Sequence, residues 1–491
     1  MIALLELFFW ILLGTALGIS VGAIPGLTGA MLIALIVPHT ENMNANPAFA
    51  LLVGMYVGSV SGGLITATLL KMPGTPASII TTLDGHPMAA GGRPGRALGL
   101  GIGASLVGGL ISWLALFLLS KPVANASTLL GPFDYFALIL MALVFIATVS
   151  DRGPGGLARG IFSGMLGCVA AAPGAHPATG ELRLTFGMEE MNDGFKAMSV
   201  LIGMFAFSEA IRMALRPGPP KADAEEVEDR LWLPVRFWLK KWGNLIRSSL
   251  IGTWVGVLPG IGANIGSTVA YGSARQLSKT PDEFGTGCDD GVIASESANN
   301  ATVGGALIPL IALGIPGSVI DAILLGAFVI HGLQPGPLLF KNAPEAVATI
   351  SWSYLVANLV MAGLMLASAR WISKLSNVPR GWLAPVVILF CVIGSFALSN
   401  RMFDVWVMVG FGVVGLLFSR LKIPAAPFVI GFVLAPLAEE KLASGIMTTG
   451  GSIAPLFTRP FSIACLVFAI ALAVWPLISR KKGPNTPVES A

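Results

Sequence analysis

The chain has 491 residues, of which 54% are hydrophobic and 11% charged, with a formal net charge of +4 and a mean hydropathy of +0.79. A soluble domain carries about 25% charged residues, so a water-soluble globule is excluded, and without a basic tract so is a nucleic-acid partner. Almost uncharged runs at 97–120, 129–149, 346–369 and 459–479 reach the ~20 residues that cross about 30 Å of hydrocarbon.

The expected fold is therefore an all-α, polytopic membrane protein with about 12 transmembrane helices. The first apolar segment, 1–24, looks like a signal peptide, but its first charge is Glu6 and no basic residue precedes it, so it reads as retained. Helical segments follow near 26–38, 47–70, 76–90, 97–120, 129–149, 155–173 and 196–215. A second series falls near 243–258, 261–276, 289–313, 317–333, 346–369, 383–399, 403–419, 423–437 and 459–479. Several of these are short for a full crossing and suit half-helices or arms of re-entrant hairpins.

Between the series lies a polar stretch containing Arg216, Lys221, Arg230, Arg236, Lys240, Lys241 and Arg247. The positive-inside rule makes it cytoplasmic, as it does the tail with Arg480, Lys481 and Lys482. The spacing of Trp232, Trp238 and Trp242 fits either an amphipathic helix at the headgroups or a solvated linker with a few interfacial anchors. The expected organisation is a first membrane repeat at 1–215, a linker at 216–245, a second membrane repeat at 246–480 and a cytoplasmic tail at 481–491.

The halves resemble each other. Gly18, Gly22, Pro25 and Gly26 match Gly252, Gly256, Pro259 and Gly260, and "GGLITATLLKMPGT" at 62–75 matches "GGALIPLIALGIPGS" at 304–318 with one extra residue in the second copy. Two motifs in the same order point to an internal duplication, with the two repeats expected to be inverted.

Four Pro-Gly pairs interrupt the apolar runs: Pro25-Gly26, Pro73-Gly74, Pro259-Gly260 and Pro316-Gly317. Pro removes a helical hydrogen bond and clashes with the preceding turn. In lipid the freed backbone groups must line a cavity or be buried in protein. A half-helix N-terminus carries partial positive charge and unpaired N–H groups, which suits an anion without any Lys or Arg. Thr75 with Pro76, and Ser318 with Asp321, read as helix starts with caps. Packed helices can also be merely kinked by Pro and Gly, but four breaks in duplicate favour a binding site. The substrate candidates are Gly26, Thr28, Lys71, Gly74, Thr75, Ser78, Gly260, Gly262, Asn264, Ser267, Gly317 and Ser318. Lys71 either faces an anionic substrate or snorkels to the interface.

A second polar cluster, Ser295, Glu296, Ser297, Asn299 and Asn300, borders a long apolar run. Its oxygens suit a coupling cation and its carboxylate a proton; the alternative is hydrogen-bond glue between helices. Asp84, His86 and His331 suit turn capping as well as proton relay, and Glu439 and Glu440 suit an interface. Cys168, Cys288, Cys391 and Cys465, like the four histidines, lie apart from one another, so neither a structural metal nor a redox cofactor is expected. Neither a hydrolase triad nor a nucleotide-binding fingerprint is evident, so an enzyme is not expected.

The strings "GISVGAIPGLTGAM", "KMPGTPASIITTLDGHPMA", "GVLPGIGANIGSTVAYG", "GVIASESANNATVGGALIPLIALGIPGS", "IHGLQPGPLL" and "GFVLAPLAEEKL" resemble the large membrane subunit of tripartite tricarboxylate transporters, the TctA type. The resemblance implies a bacterial inner-membrane carrier for citrate-like or other organic carboxylates. It further implies coupling to Na⁺ or H⁺, a small membrane subunit and a periplasmic binding protein. The family commonly has Asn in place of Lys71, Pro in place of Ser295, and Gly-x-Asp-Pro where Ala175-His176-Pro177 stands here. These departures bear on the substrate more than on the mechanism. The rival readings are a channel-like or a structural membrane subunit without coupled transport of its own.

Overall fold

The computed structural model describes residues 2–24, 27–72, 75–150, 155–215, 231–258, 262–372 and 380–479. Of the four Pro-Gly pairs, Pro25-Gly26, Pro73-Gly74 and Pro259-Gly260 lie outside them, so nothing structural is said of the candidates Gly26, Gly74 and Gly260.

The chain is helical nearly throughout, apart from one small antiparallel pair, Gly174–Ala175 with Leu182–Arg183. The first half contains α1 (Ile2–Gly22), α2 (Gly29–Ile36), α3 (Ala45–Leu70), α4 (Gly85–Ala90), α5 (Pro94–Ser127), α6 (Pro132–Val149) and α7 (Gly156–Ala170). It ends in α8 (Ala197–Leu201), which runs through a π-helical stretch, Ile202–Phe207, into α9 (Ser208–Leu215). The second half contains α10 (Val235–Val257), α11 (Gly262–Leu277), α12 (Asp289–Leu313), α13 (Val319–Ile330), α14 (Leu339–Asn342) and α15 (Pro344–Ile372). Then come α16 (Arg380–Ala397), α17 (Met402–Leu421), α18 (Ala425–Thr448), α19 (Pro455–Thr458) and α20 (Pro460–Ser479). Among the described residues, 7 helices are long and apolar enough to cross a membrane, and five shorter apolar ones accompany them.

Two compact units divide the chain. One comprises Met1–Leu129 and Phe195–Arg420; the other comprises Leu130–Gly194 and the chain from Leu421 on. Each unit therefore draws on both halves of the sequence. The stretch expected as a linker also ends earlier than 245, because α10 already begins at Val235. Its first turns are held by Phe237 and Trp238, which pack on Met88, Leu100 and Ala104, while Trp232 and Trp242 are exposed. Trp238 and Trp242 thus lie in the first turns of one long helix, and Trp232 just before it.

In lipid, bringing apolar helices together gains little by itself, so close backbone approach decides the packing. In the larger unit α1 packs along α3 and α10 packs along α12. A Cβ on Gly18 would run into the Met55 carbonyl, and one on Gly252 into the Ala298 carbonyl. A Cβ on Gly22 would lie 3.1 Å from the Gly62 Cα, and one on Gly256 3.0 Å from the Gly305 Cα. Gly62 thus stands where Gly305 does. The pairing of Gly62 with Gly304 and an extra residue in the second copy is corrected: a single shift of 243 positions (318 less 75) runs from Gly62 and Gly305 through to Thr75 and Ser318.

The helix ends confirm that register. Lys71 and Gly314 both adopt the left-handed conformation after their helices, at φ 54° and 71°. Met72 N–H bonds the Thr66 carbonyl at 3.2 Å, and Ile315 N–H bonds the Pro309 carbonyl at 3.2 Å. Both are the same C-terminal turn, in which a left-handed residue lets the next N–H reach back to an orphan carbonyl.

Cross-packing joins the halves. α5 packs on α12, α15 on α3, α2 on α13, and α11 on the short helical turn Pro76–Ile79. Within the larger unit α16 also packs on α9. Within the smaller unit α6 and α7 pack on α18, and α20 packs on α6. There Asp134 accepts from Ser462 Oγ at 2.6 Å and pairs with Arg459 at 2.7 Å, and Glu439 pairs with Arg183 at 2.5 Å.

Candidate functional site

All four interruptions are present: α1 ends at Gly22, α3 at Leu70, α10 at Val257 and α12 at Leu313. The segments that follow start with caps wherever the cap lies in the described residues. Thr28 Oγ1 accepts from Met31 N–H at 3.2 Å and opens α2. Ser318 Oγ accepts from Asp321 N–H at 3.3 Å and opens α13. Thr75 and Ser78 form a reciprocal capping box, with Ser78 N–H on Thr75 Oγ1 at 3.3 Å and Thr75 N–H on Ser78 Oγ at 3.1 Å. Each hydroxyl satisfies N–H groups that the broken helix leaves without a carbonyl.

These starts meet in two pairs, each with one member from either half. In the first, α2 lies against α13: Gly29 packs on Ser59, and a Cβ there would lie 3.4 Å from Ile320. Tyr56 of α3 reaches over, with its hydroxyl 3.0 Å from Ser318 Oγ. In the second, the Thr75–Ser78 turn lies against α11. Asn264 in the first turn of α11 is exposed and Thr75 half-buried, whereas Ser267 is buried and donates to the Ser295 carbonyl at 3.0 Å.

Beside the second pair runs the buried polar face of α12. The Glu296 carboxylate is fully buried; Thr81 Oγ1 donates to it at 2.5 Å and Ser105 Oγ at 3.2 Å. Asn300 spends both amide atoms on protein: it accepts from Ser61 Oγ at 3.0 Å and donates to the Ser105 carbonyl at 3.1 Å. That is the geometry of interhelical glue joining α3, α5 and α12. Asn299 differs. It is fully buried and close to the Glu296 carboxylate, but at strict hydrogen-bond distance and angle neither of its amide atoms has a partner among the described residues. Ser297 donates to the Ile293 carbonyl at 2.7 Å within its own helix.

A tyrosine bridges the backbone of α12 at the same place. The Tyr354 hydroxyl accepts from Gly304 N–H at 3.1 Å and donates to the Asn300 carbonyl at 3.0 Å. Those two groups lie four residues apart in the continuous helix α12, so the hydroxyl bridges the donor and acceptor of one helical turn. Ser112 Oγ braces that hydroxyl at 2.8 Å.

The sequence model of the tripartite tricarboxylate transporter TctA family matches residues 8–430. The chain belongs to the TctA family. It is 32% identical over 476 residues to the "Uncharacterized 52.8 kDa protein in TAR-I ttuC' 3'region" of Agrobacterium vitis, covering 96% of this chain and 94% of that one. It is 35% identical over 234 residues to a second protein of that organism, "Uncharacterized protein in TAR-II ttuC' 3'region", covering 47% of this chain and 97% of that one. No solved structure matches. The chain is thus a multi-pass membrane component of a tripartite transport system, in a family of transporter components and not of enzymes.

Within this TctA chain the candidates fall into distinct places. Thr28, Gly317 and Ser318 belong to the first pair; Thr75, Ser78, Gly262, Asn264 and Ser267 belong to the second, next to Ser295, Glu296 and Asn299. Lys71 is exposed at a helix end. Asp84 anchors a loop: its Oδ1 accepts from the N–H groups of Gly285, Gly287 and Cys288 at 2.8 to 2.9 Å, and its Oδ2 from Tyr271 at 2.8 Å. His331 bonds Thr40 at 3.2 Å. His176 Nδ1 accepts from Ala178 and Thr179 N–H at 3.2 and 3.3 Å and so closes a turn. Sequence reasoning missed Tyr56, Thr81, Ser105 and Tyr354. Each is a single polar residue in an apolar helix or a short turn, and only its buried partner reveals it.

Proposed function

We propose that this TctA chain imports a small organic carboxylate across the bacterial inner membrane, coupled to Na⁺ or H⁺, together with a small membrane subunit and a periplasmic binding protein. The observation that carries this is the reciprocal meeting of half-helix starts from the two halves, α2 with α13 and α11 with the Thr75–Ser78 turn. Interrupted helices in matched positions are how secondary carriers build substrate and ion sites. The common shift of 243 positions and the matching left-handed turns support two repeats. An inverted arrangement of the two is part of the same proposal.

The carboxylate belongs at the second pair. There the start of α11 presents small residues and the exposed Asn264, and Thr75 and Ser78 carry no charge. At the first pair the positive end of α13 already faces the carboxyl group of Asp321. Asn299 and Glu296, with Ser295 and Ser297 along the same helix, are the coupling residues adjoining that site, with Asn300 holding the helices around them.

The test is uptake of radiolabelled citrate and C4 dicarboxylates into liposomes holding this chain and its partner subunits, with and without gradients of Na⁺ and H⁺. Gradient-driven accumulation of a carboxylate is expected. Gly262→Val, which adds bulk where a ligand would approach the backbone, should abolish it without unfolding the protein. Passive equilibration that ignores both gradients would favour a channel-like subunit.

A further inference from the structure

Asp321 occupies the first turn of α13 and is fully buried. Around its carboxylate stand the Tyr56 and Ser318 hydroxyls and the backbone N–H groups of Gly317 and Ser318. These groups lie near enough to act on the carboxylate as donors, but at strict hydrogen-bond distance and angle neither carboxylate oxygen has a partner among the described residues. The two hydroxyls bond each other instead, at 3.0 Å. A plain capping box would have the carboxylate accept from Ser318 N–H, as Ser78 Oγ accepts from Thr75 N–H at 3.1 Å in the matched turn. Here that bond is open.

An ionised, unpaired carboxylate in a buried site is strongly unfavourable. Among the described residues no compensating cation is placed against it. α13 packs on α2, α8, α12 and the turn Val37–Thr40. α2 and α8 carry no ionisable side chain, although Lys196 stands at the N-cap of α8. α12 carries only Asp289, Asp290 and Glu296, all towards its start. His39 in the turn bonds the Leu35 carbonyl at 2.9 Å, and His331 at the far end of α13 bonds Thr40. Tyr56 of α3 is the titratable side chain next to the carboxylate. Glu296 makes the contrast, since two hydroxyls donate to it.

We propose that Asp321, with the Tyr56 and Ser318 hydroxyls, is a second coupling site that takes up one unit of positive charge, as Na⁺ or as a proton. It rests on reading the chain as a coupled carrier. The carboxylate and two hydroxyls are hard oxygen donors of the kind Na⁺ accepts. With a proton bound, the Asp321 carboxyl is neutral and its O–H can donate to the Tyr56 or Ser318 hydroxyl oxygen. Its counterpart at the matched position, Ser78, is uncharged, so the two pairs divide the labour: anion at one, cation at the other.

The test uses the purified full chain without any carboxylate. Its apparent Tm is followed as NaCl replaces choline chloride at constant ionic strength, at pH 6 and pH 8. The wild type should be stabilised by Na⁺ in one arm, or by lower pH in the absence of Na⁺ in the other, and the responding arm identifies the charge. Asp321→Asn is neutral and nearly isosteric, so it should lose at least half of that response while keeping a cooperative transition. Tyr56→Phe should raise the half-saturating Na⁺ concentration, or shift the pH midpoint, corresponding to about a tenfold weakening. An Asp321→Asn protein that keeps the full wild-type response overturns the proposal, as does a wild type indifferent to both. Because no substrate is used, failed carboxylate uptake would sink the transport reading without touching this measurement.

Discussion

Lys71 shows how a single residue can serve two readings. It caps α3 in the left-handed region, where its counterpart is Gly314. A non-glycine residue there costs roughly 1–2 kcal/mol, and Asn tolerates it better than Lys. Lys71→Gly should therefore raise the apparent Tm in detergent. If the ammonium also meets the substrate, the set of carboxylates competing for uptake will change in the same variant; an unaltered set with a higher Tm leaves Lys71 as a strained cap. Asn299 and Asn300 are neighbours with opposite expectations. Asn300→Ala strips the buried Ser61 hydroxyl and Ser105 carbonyl of a partner, at about 1–3 kcal/mol for each group left unsatisfied, so stability should fall. Asn299→Ala removes no bond to a described group. It should leave the Tm nearly unchanged and raise the Na⁺ or H⁺ concentration needed for half-maximal uptake. Equal losses of stability in the two variants would contradict this division.

At the scale of elements, small residues set the spacing of the broken helices. Gly18→Val and Gly252→Val would each drive a side chain into a facing carbonyl, of Met55 or Ala298. Overpacking of this kind costs about 1–3 kcal/mol or more, so both variants should accumulate poorly in the membrane. Gly363→Val, where nothing lies within 4 Å of an added Cβ, is the control. Quantitative blotting of membranes checks all three, and normal levels of Gly252→Val would show that α10 and α12 can part. Tyr354→Phe tests whether the bridging hydroxyl loosens the ladder of α12. Without the hydroxyl, Gly304 N–H and the Asn300 carbonyl are free to bond each other. The segment should exchange its amide hydrogens more slowly, and uptake should fall if the opening serves transport. Unchanged exchange across 300–304 would mean that the hydroxyl merely decorates an intact helix.

At the scale of the whole molecule, the halves are interlocked. α5 lies on α12 and α15 on α3, so each half buries long helices against the other as well as against its own. A chain cut within 216–230 should therefore be rescued only in trans. Residues 1–215 or 231–491 expressed alone should be degraded, whereas co-expression should restore both fragments and carboxylate uptake. Stable accumulation of either fragment alone would argue against this cross-packing.

The amino-acid sequence alone determined the helices and their interruptions. Hydropathy and Pro-Gly placement are local, and lipid tolerates broken backbone only where protein covers it. The same locality made the caps at Thr75 and Ser318 legible, because a cap acts within one turn. It also made the likeness between the halves visible, although not the match of Gly62 with Gly305, which the approach to α1 and α10 pointed out. The start of α10 was hidden because charged and aromatic residues there look like a linker until Trp238 finds its place. Only the tertiary structure decided which break meets which, since pairing α2 with α13 and α11 with the Thr75 turn joins residues far apart in the chain. Only it separated Asn299 from Asn300 and Glu296 from Asp321. Whether a buried amide or carboxylate is satisfied depends on donors from α3, α5 and the 81–83 turn, and no local pattern records where those donors fall.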